Sequence, residues 1–210
     1  MRSIKTVYVF LTMLLAILTF SSVNASGLNQ SDPVSLLQYI ADNMVAQLKS
    51  NKATLKSKPQ IVYKLAYRYV VPYADLPEMS RRVLPPSVWN SATPAERMQF
   101  QKEFTTLLIR TYASALTSYQ DQVVQFSPIR GEYQNQKTVE VRSQIISSSA
   151  SPINVTYRLI HVGSVWRLYD MSVEGVSLIE SFRSQFADIL SQGNMQQLLA
   201  RLSSHNTRDN

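Results

Sequence analysis

The sequence predicts an α+β fold, in which helices pack on the concave side of a curved antiparallel meander of four strands, or more. Apolar residues recur at helical spacing before residue 120 and after residue 176, whereas residues 123–173 carry the period-two alternation of strands. The connections between successive strands are short, which favours antiparallel neighbours. Helices and strands that are grouped rather than alternating indicate an α+β architecture.

Capping residues mark the helices of the first half. Ser31 or Asp32 can cap a first helix whose first turn holds Pro33. The longest helix is predicted to begin at Thr93, because Thr93-Pro94-Ala95-Glu96 combines a capping box with proline at the first helical position. Helical apolar spacing predicts further helices over residues 59–69, 77–84, 176–191 and 195–202.

The strands are predicted from alternation and from the turn residues between them. In the second strand Val139 and Val141 alternate with Glu140 and Arg142, as expected for a sheet with one buried face. The four predicted strands are Val123–Ile129, Thr138–Ser147, Ile153–Val162 and Ser164–Val173.

The fourth strand is unusual because it has apolar residues on both faces. Trp166 and Leu168 fall on one face, and the other face carries Val165, Tyr169, Met171 and Val173. A sheet with helices on one side needs only one apolar face, so the surplus predicts an internal apolar cavity. After this strand, Gly175 is expected to form a turn that needs a positive φ or a close approach.

The first 25 residues have the organisation of a secretory signal peptide. Arg2 and Lys5 supply positive charge, residues 7–20 are almost uninterruptedly apolar, and Val23-Asn24-Ala25 predicts cleavage after Ala25. An uncleaved anchor is the alternative, but the apolar run is shorter than the ~20 residues of a spanning helix. The predicted division of the chain is 1–25 for the signal peptide, 26–203 for a single domain and 204–210 for a flexible tail.

Composition excludes several classes of function. The chain has no cysteine, which removes disulfides, thiolate nucleophiles and cysteine-ligated metals. Its formal net charge of +7 suits an anionic partner, although export argues against nucleic acid. No acidic residue lies between Asn43 and Ala74, a stretch that is either a solvated face or a docking surface for acidic partners or lipid headgroups. Its cations are Lys49, Lys52, Lys56, Lys58, Lys64 and Arg68.

Catalytic patterns are sparse. The two histidines, His161 and His205, are isolated, and no Gly-x-Ser-x-Gly motif is present, so neither a hydrolytic triad nor a metal site is expected. Asp170 and Glu174 form the one candidate carboxylate pair, and a buried Asp170 could be the base of an isomerase-type pocket enzyme. The opposing interpretation is that Asp170 pairs with an arginine and Glu174 caps the following helix.

Several segments, in order along the chain, resemble the MlaC or toluene-tolerance family of periplasmic phospholipid-binding proteins. The last segment is the most specific, and the set spans residues 34–202. The matching segments are Val71-Pro72-Tyr73, Trp89, Ala92-Thr93-Pro94-Ala95-Glu96-Arg97, Phe100 with Phe104, Tyr112-Ala113-x-Ala115-Leu116, and Trp166-x-x-Tyr169-Asp170-x-x-x-Glu174-Gly175-Val176-Ser177.

The resemblance implies a cone-like domain of the cystatin or nuclear-transport-factor shape, with an apolar cavity. It implies a monomeric periplasmic carrier that catalyses no reaction, needs no cofactor and holds phospholipid as cargo. Such carriers shuttle lipid between the outer membrane and an inner-membrane ABC transporter, and so maintain outer-membrane lipid asymmetry. The partners implied are an outer-membrane lipoprotein–porin complex and the transporter's lipid-binding ring. One departure from the family pattern is Leu84-Pro85-Pro86, where members often have Leu-Gly.

Apolar side chains that could contact acyl tails are drawn from residues 70–73, which follow the second predicted helix, from the helix predicted over residues 77–84, from the longest helix and from three strands. This expectation assigns tail contact to Val71, Tyr73, Met79, Leu84, Leu108, Tyr112, Leu116, Val141, Tyr157, Leu159, Trp166, Tyr169 and Met171. Two alternatives to a lipid carrier stay open at this point, an isomerase-type enzyme that uses Asp170 and a basic periplasmic adaptor that binds only proteins.

Overall fold

The predicted α+β architecture is confirmed by the computed structural model, which describes residues 28–191 and 193–208. The predicted signal peptide, residues 1–25, lies outside the described residues. The strands form one antiparallel sheet whose order follows the chain: β1 (Val123–Phe126), β2 (Thr138–Ile146), β3 (Ile153–Val162), β4 (Val165–Val173) and β5 (Val176–Ser177).

Helices precede and follow this sheet. They are α1 (Pro33–Asn51), α2 (Gln60–Tyr69), α3 (Leu76–Val83), α4 (Pro86–Ser91), α5 (Pro94–Thr117), α6 (Leu178–Ser191) and α7 (Met195–Arg208), with a 3₁₀ turn at Val71–Tyr73. None of the helices in the described part of the chain combines the length and the apolar character that crossing a bilayer requires.

The predicted helix starts are confirmed at atomic detail. Asp32 caps α1, its carboxylate accepting a hydrogen bond from the backbone N–H of Ser35 at 2.6 Å. Thr93 and Glu96 form the capping box of α5: the Glu96 N–H donates to the Thr93 hydroxyl at 3.2 Å, and the Thr93 N–H donates to the Glu96 carboxylate at 2.8 Å. These contacts satisfy amide groups that have no partner within the helix.

Two predicted helix boundaries are wrong, each for a tertiary reason. Val176 and Ser177 were expected to open a helix, but they pair with Val173 and Ser172 as the short strand β5. The last helix was expected to end at Leu202, with a flexible tail after it, yet α7 continues to Arg208. Asn206 holds this extension against α5, because its side-chain amide donates to the Glu103 carbonyl at 3.0 Å.

Helix α4 was not anticipated from the sequence. It lies where Leu84-Pro85-Pro86 departs from the family pattern, and Pro86 occupies the first turn of the helix, where a missing N–H has no cost. The segment after α2 is anchored in a different way. Ala74 forms an isolated bridge to Leu168, and the N–H of Asp75 donates to the Leu168 carbonyl at 2.7 Å. The chain that follows the 3₁₀ turn is therefore hydrogen-bonded directly to β4.

An irregularity in β4 decides which way its side chains point. Arg158 pairs with Asp170 and Leu159 pairs with Leu168, so Tyr169 is an extra residue that has no partner on β3. An extra residue shifts the alternation of the strand that carries it. Met171 therefore lies on the same face as Leu168, and the sequence-based placement of Met171 beside Tyr169 is wrong.

Two apolar clusters stabilise the molecule. The first cluster joins α3, α5, α6 and α7 to Ile160 and Tyr169, and Phe104 packs edge-to-face on Phe182 at 5.4 Å within it. The second cluster lies under α1 and α2 and contains Leu159 and Trp166 of the sheet. Neighbouring residues Leu159 and Ile160 point to opposite sides of β3. Both faces of the sheet are thus packed, which accounts for the apolar residues on both faces of β4.

The turn between β4 and β5 yields a stability prediction. Glu174 has φ 49° and Gly175 has φ 82°, and positive φ at both central residues is the requirement of a type I′ hairpin turn. A Cβ at Gly175 would meet no atom within 4 Å, so the cost of a side chain is conformational. We expect Gly175→Val to destabilise the protein by about 1–2 kcal/mol, measured by urea unfolding. Gly175→Asn, which tolerates positive φ, should cost less, and unchanged stability of the valine variant would contradict the prediction.

Candidate functional site

One face of the sheet is a continuous apolar surface, which we call the inner face. It is the face of the sheet that carries Val141 on β2, Tyr157 on β3 and Met171 on β4, three residues that pair directly across the sheet. In addition to these three, the inner face contains Val124, Phe126, Val139, Ser143, Ile145, Ile153, Val155, Leu159, His161, Trp166, Leu168, Val173 and Val176.

The inner face is covered at one end and open at the other. Leu159 and Trp166 are 0% and 1% exposed beneath the helices. Ile153 and Val176, at the far end of the sheet, are 41% and 62% exposed. An apolar surface that continues from solvent into the core is an arrangement that a long apolar ligand can complete.

Tyrosines surround the second cluster. Its buried members are Leu36, Leu37, Ile40, Met44, Leu48, Leu55, Val62, Leu65, Ala113, Val139, Val141, Leu159 and Trp166. Equally numerous half-buried residues pack against them, namely Leu28, Val34, Tyr39, Ile61, Tyr63, Tyr69, Val70, Tyr73, Tyr119, Phe126, Ile129, Tyr133 and Tyr157. Among the described residues, the half-buried residues of the first cluster are only half as numerous as its buried ones. The second cluster is therefore the less completely covered of the two, and its border combines aromatic rings with hydroxyl groups.

Aromatic contacts organise this border. Tyr39 packs edge-to-face on Tyr73 at 5.8 Å, and Phe126 lies 5.6 Å from Tyr157. Burial raises the pKa of the Tyr157 phenol, and burial together with the neighbouring Tyr39 raises the pKa of Tyr73. His161, the one histidine in the sheet, stacks on Trp166 at 4.7 Å. Its position on the inner face is explained by this packing.

Six of the thirteen sequence-predicted contact residues come together at this surface. Val141, Leu159 and Trp166 belong to the second cluster, Tyr73 and Tyr157 pack against it, and Met171 pairs with Tyr157. The sequence reasoning missed Phe126 and Val155, although their alternation with polar neighbours was a usable signal. It also missed Tyr39 and Tyr133, for which no local pattern indicates the side that faces the sheet.

The other seven predicted contact residues lie elsewhere. Met79, Leu84 and Tyr169 are buried in the first cluster, and Leu108 and Tyr112 are half-buried against it. Val71 lines a surface groove beside α2, and Leu116 on α5 is 36% exposed. Their assignment to tail contact stays a prediction, and their packing in the first cluster provides an ordinary structural role for five of them.

Two of the hollows on the described surface can be compared with the predicted cavity, and neither of these two is an enclosed apolar cavity. The larger, of about 300 Å³, is polar and lies over the outer side of β4; it is lined by Arg82, Arg158, Tyr169, Asp170, Ser177, Ile179, Glu180 and Arg183. The smaller, of about 200 Å³, is the surface groove between α2 and α5. The predicted apolar cavity therefore stays a prediction, and the inner face is the surface from which it could form.

Asp170 is committed to structural contacts in the polar hollow. Its carboxylate accepts hydrogen bonds from the guanidinium of Arg158 at 2.7 Å, the hydroxyl of Ser177 at 2.8 Å and the N–H of Ile179 at 3.2 Å. Asp170 thus joins β3 and β4 to the first turn of α6. The prediction that Glu174 caps this helix is wrong, because the Glu174 carboxylate accepts from the N–H of Asn154.

Of the arginines that line the hollow, Arg82 and Arg158 pair with neighbouring carboxylates, and Arg183 donates to the backbone carbonyl of Arg82. Arg158 also bonds Glu140 at 3.0 Å, and hydrogen bonds with Glu140 and Asp170 raise its pKa. Hydrogen bonds from Arg81 and Arg82 lower the pKa of Glu78 to about 2. Arg82 lies over the ring of Tyr169 at 4.3 Å. Within the described residues, no group of three histidine or carboxylate side chains is placed to hold a metal ion.

Comparison with known proteins gives one consistent result. Residues 38–204 match the model of the MlaC protein family. The toluene tolerance protein ttg2D of Pseudomonas putida is 26% identical over 160 residues, which cover 76% of this chain and 74% of that protein. The intermembrane phospholipid transport system binding protein MlaC of Haemophilus influenzae is 26% identical over 194 residues, which cover 91% and 90%.

A solved structure is similar in fold as well as in sequence. It is the phospholipid-binding protein from Ralstonia solanacearum in complex with a phospholipid, which matches with a TM-score of 0.75 and 30% identity over 83% of this chain and 96% of that one. The family match covers most of the chain, and the structural match covers 83% of it. This chain belongs to the MlaC family.

Proposed function

We propose that the protein binds a phospholipid and carries it between membranes through the periplasm. The observation that carries the proposal is the likeness, at 30% identity and a TM-score of 0.75, to a protein solved with a phospholipid bound. The relative from Haemophilus influenzae is named for intermembrane phospholipid transport. The signal-peptide pattern of residues 1–25 supports a periplasmic location.

The acyl tails lie along the inner face in this proposal. They replace water on the open end of the sheet and separate the half-buried residues of the second cluster from one another. Each methylene removed from water contributes about 0.8 kcal/mol, so a tail held there avoids a large cost of crossing an aqueous compartment. The tyrosines at the border offer rings to the tails and hydroxyl groups to the headgroup or to water.

A carrier of this kind needs weak selectivity and external direction. An acyl tail has apolar neighbours in a membrane and would also have apolar neighbours on the inner face. The free energies of the tail in the two places are therefore nearly equal, so loading and release are nearly balanced. Direction then comes from docking partners, and we propose the inner-membrane lipid-binding ring of an ABC transporter and an outer-membrane lipoprotein–porin complex. No catalytic step is proposed, because the buried carboxylate of Asp170 is occupied by structural hydrogen bonds.

Native mass spectrometry of protein from a periplasmic extract tests the proposal. The full chain is expressed in a Gram-negative bacterium and purified without detergent. We expect a protein that begins at Ser26 and carries one phospholipid, identified after extraction by its headgroup and acyl masses. A folded protein without lipid, which also takes up none from phospholipid vesicles, would contradict the proposal. A phospholipid adduct on a chain that retains residues 1–25 would contradict only the cleavage site.

A further inference from the structure

The outward side of helices α2 and α5 combines uncompensated positive charge with exposed apolar side chains. We refer to it as the α2–α5 surface, defined by Lys64, Tyr67 and Arg68 on α2 and by Met98 and Lys102 on α5. The two helices pack side by side, with the hydroxyls of Tyr67 and Thr106 3.3 Å apart. We propose that the α2–α5 surface docks on the anionic surface of a phospholipid bilayer.

Within the described residues, the cations of the α2–α5 surface, Lys64, Arg68 and Lys102, form no ion pair with a carboxylate. No acidic residue occurs between Asp42 and Asp75, and within the part of the chain that the structure describes no ion pair engages the six cations of that stretch. The carboxylate of Glu103 on α5 is directed to α7, where it accepts a hydrogen bond from the side-chain amide of Asn206. Asp75 accepts a hydrogen bond from the N–H of Glu78 as the cap of α3.

Apolar groups lie among these charges. Met98 is 70% exposed and Tyr67 is 47% exposed, so both side chains present apolar surface to solvent. Together with Val71 and Leu76 they line the groove of about 200 Å³, whose wall also includes Lys102. Cationic side chains beside aromatic and flexible apolar ones have the composition of an interfacial membrane contact, in which the charges attract anionic headgroups and the apolar groups enter the headgroup layer.

The kind of cation favours a membrane over a protein partner. Five of the six cations between Asn43 and Ala74 are lysines, and Lys102 adds a further one. Lysine is depleted at protein–protein interfaces, where arginine is enriched. A bilayer surface needs no paired geometry, so flexible point charges such as lysine suit it well. The inference does not depend on the lipid cargo, because the α2–α5 surface and the inner face share no residue.

Flotation with lipid vesicles tests the inference. The purified protein, with whatever cargo it carries, is mixed at low salt with vesicles of phosphatidylglycerol and phosphatidylcholine, or of phosphatidylcholine alone. We expect binding to the anionic vesicles only, and loss of that binding at high salt because mobile ions screen exposed charges. The double variant Lys64→Gln/Arg68→Gln should bind about 25-fold more weakly, since each cation contributes about a factor of five. Met98→Ser should also weaken binding.

A matched control separates docking from general attraction by a basic protein. Arg130 and Lys137 are exposed on the β1–β2 connection, which reaches the start of α1 through the bond from Tyr133 to Asp32. The double variant Arg130→Gln/Lys137→Gln has the same loss of charge and should bind about as well as the parent protein. Equal weakening of both double variants would overturn the inference, as would a lack of binding to either vesicle. In the second case a protein partner becomes the remaining candidate for this surface.

The lipid content of each variant distinguishes this result from failure of the proposed function. Lys64→Gln/Arg68→Gln should co-purify with phospholipid as the parent protein does, because both residues lie on α2 and neither belongs to the inner face. Loss of vesicle binding with retained cargo supports a separate docking surface. Loss of both the cargo and the vesicle binding would place Lys64 and Arg68 in the lipid site and would contradict the separation of the two surfaces.

Discussion

Met171→Glu is expected to abolish stoichiometric lipid binding while the protein still folds. Met171 is half-buried on the inner face, directly opposite Tyr157. In the unloaded protein a carboxylate there can reach water, so the cost to folding is modest. In the loaded protein it would lie against acyl chains, and an unpaired charge in an apolar environment costs several kcal/mol. About 3 kcal/mol corresponds to a more than 100-fold loss of affinity, visible as a missing adduct in native mass spectra.

Two companion variants make this result specific. Met171→Leu preserves an apolar group of similar volume and should keep the lipid. Leu116→Glu introduces the same charge on α5, at a residue that the sequence also predicted to contact tails but whose side chain is 36% exposed. If Met171→Glu retains a full complement of lipid and is as stable to unfolding as the parent protein, the tails do not follow the inner face. If Leu116→Glu loses the lipid, the tail path includes the end of α5.

The features of the fold that were predictable from sequence are those set by neighbouring residues. The Thr93–Glu96 capping box, the Asp32 cap and the alternation of Val139 and Val141 depend on contacts within a few residues, so the sequence alone indicates them. The positive φ of Gly175 is of the same kind. Local stereochemistry restricts the backbone at these positions whatever the rest of the molecule does.

The features that sequence reasoning missed depend on distant partners. The extra residue Tyr169 changes the face of Met171, and no local pattern announces it, because apolar residues are found on both sides of β4. The extension of α7 depends on a hydrogen bond from Asn206 to Glu103, about a hundred residues earlier in the chain. Sequence alone also could not assign ten of the thirteen predicted contact residues to one cluster or the other, five to each, since both clusters select the same residue types.

Asp170→Ala is expected to destabilise the fold by about 3–4 kcal/mol, the largest stability effect that we predict for a single side chain. The substitution removes a carboxylate that is only 4% exposed. The N–H groups of Met171 and Ile179 and the hydroxyl of Ser177 then lose their hydrogen-bond acceptor. Each buried polar group deprived of its partner costs about 1–3 kcal/mol, and water entering the polar hollow offsets part of that cost. The midpoint temperature of thermal unfolding should fall by roughly 10 °C for a domain of this size.

The matched control for Asp170→Ala is Glu140→Ala, which removes the other carboxylate that binds Arg158. Glu140 has a side chain that is 48% exposed, so its loss should cost no more than about 1 kcal/mol. Asp170 pairs with Arg158 on the side of the sheet away from Tyr157. The folded fraction of Asp170→Ala should therefore still carry phospholipid when purified at low temperature. A variant as stable as the parent protein would contradict the structural role of Asp170, because its hydrogen bonds would then contribute little to holding α6 on the sheet.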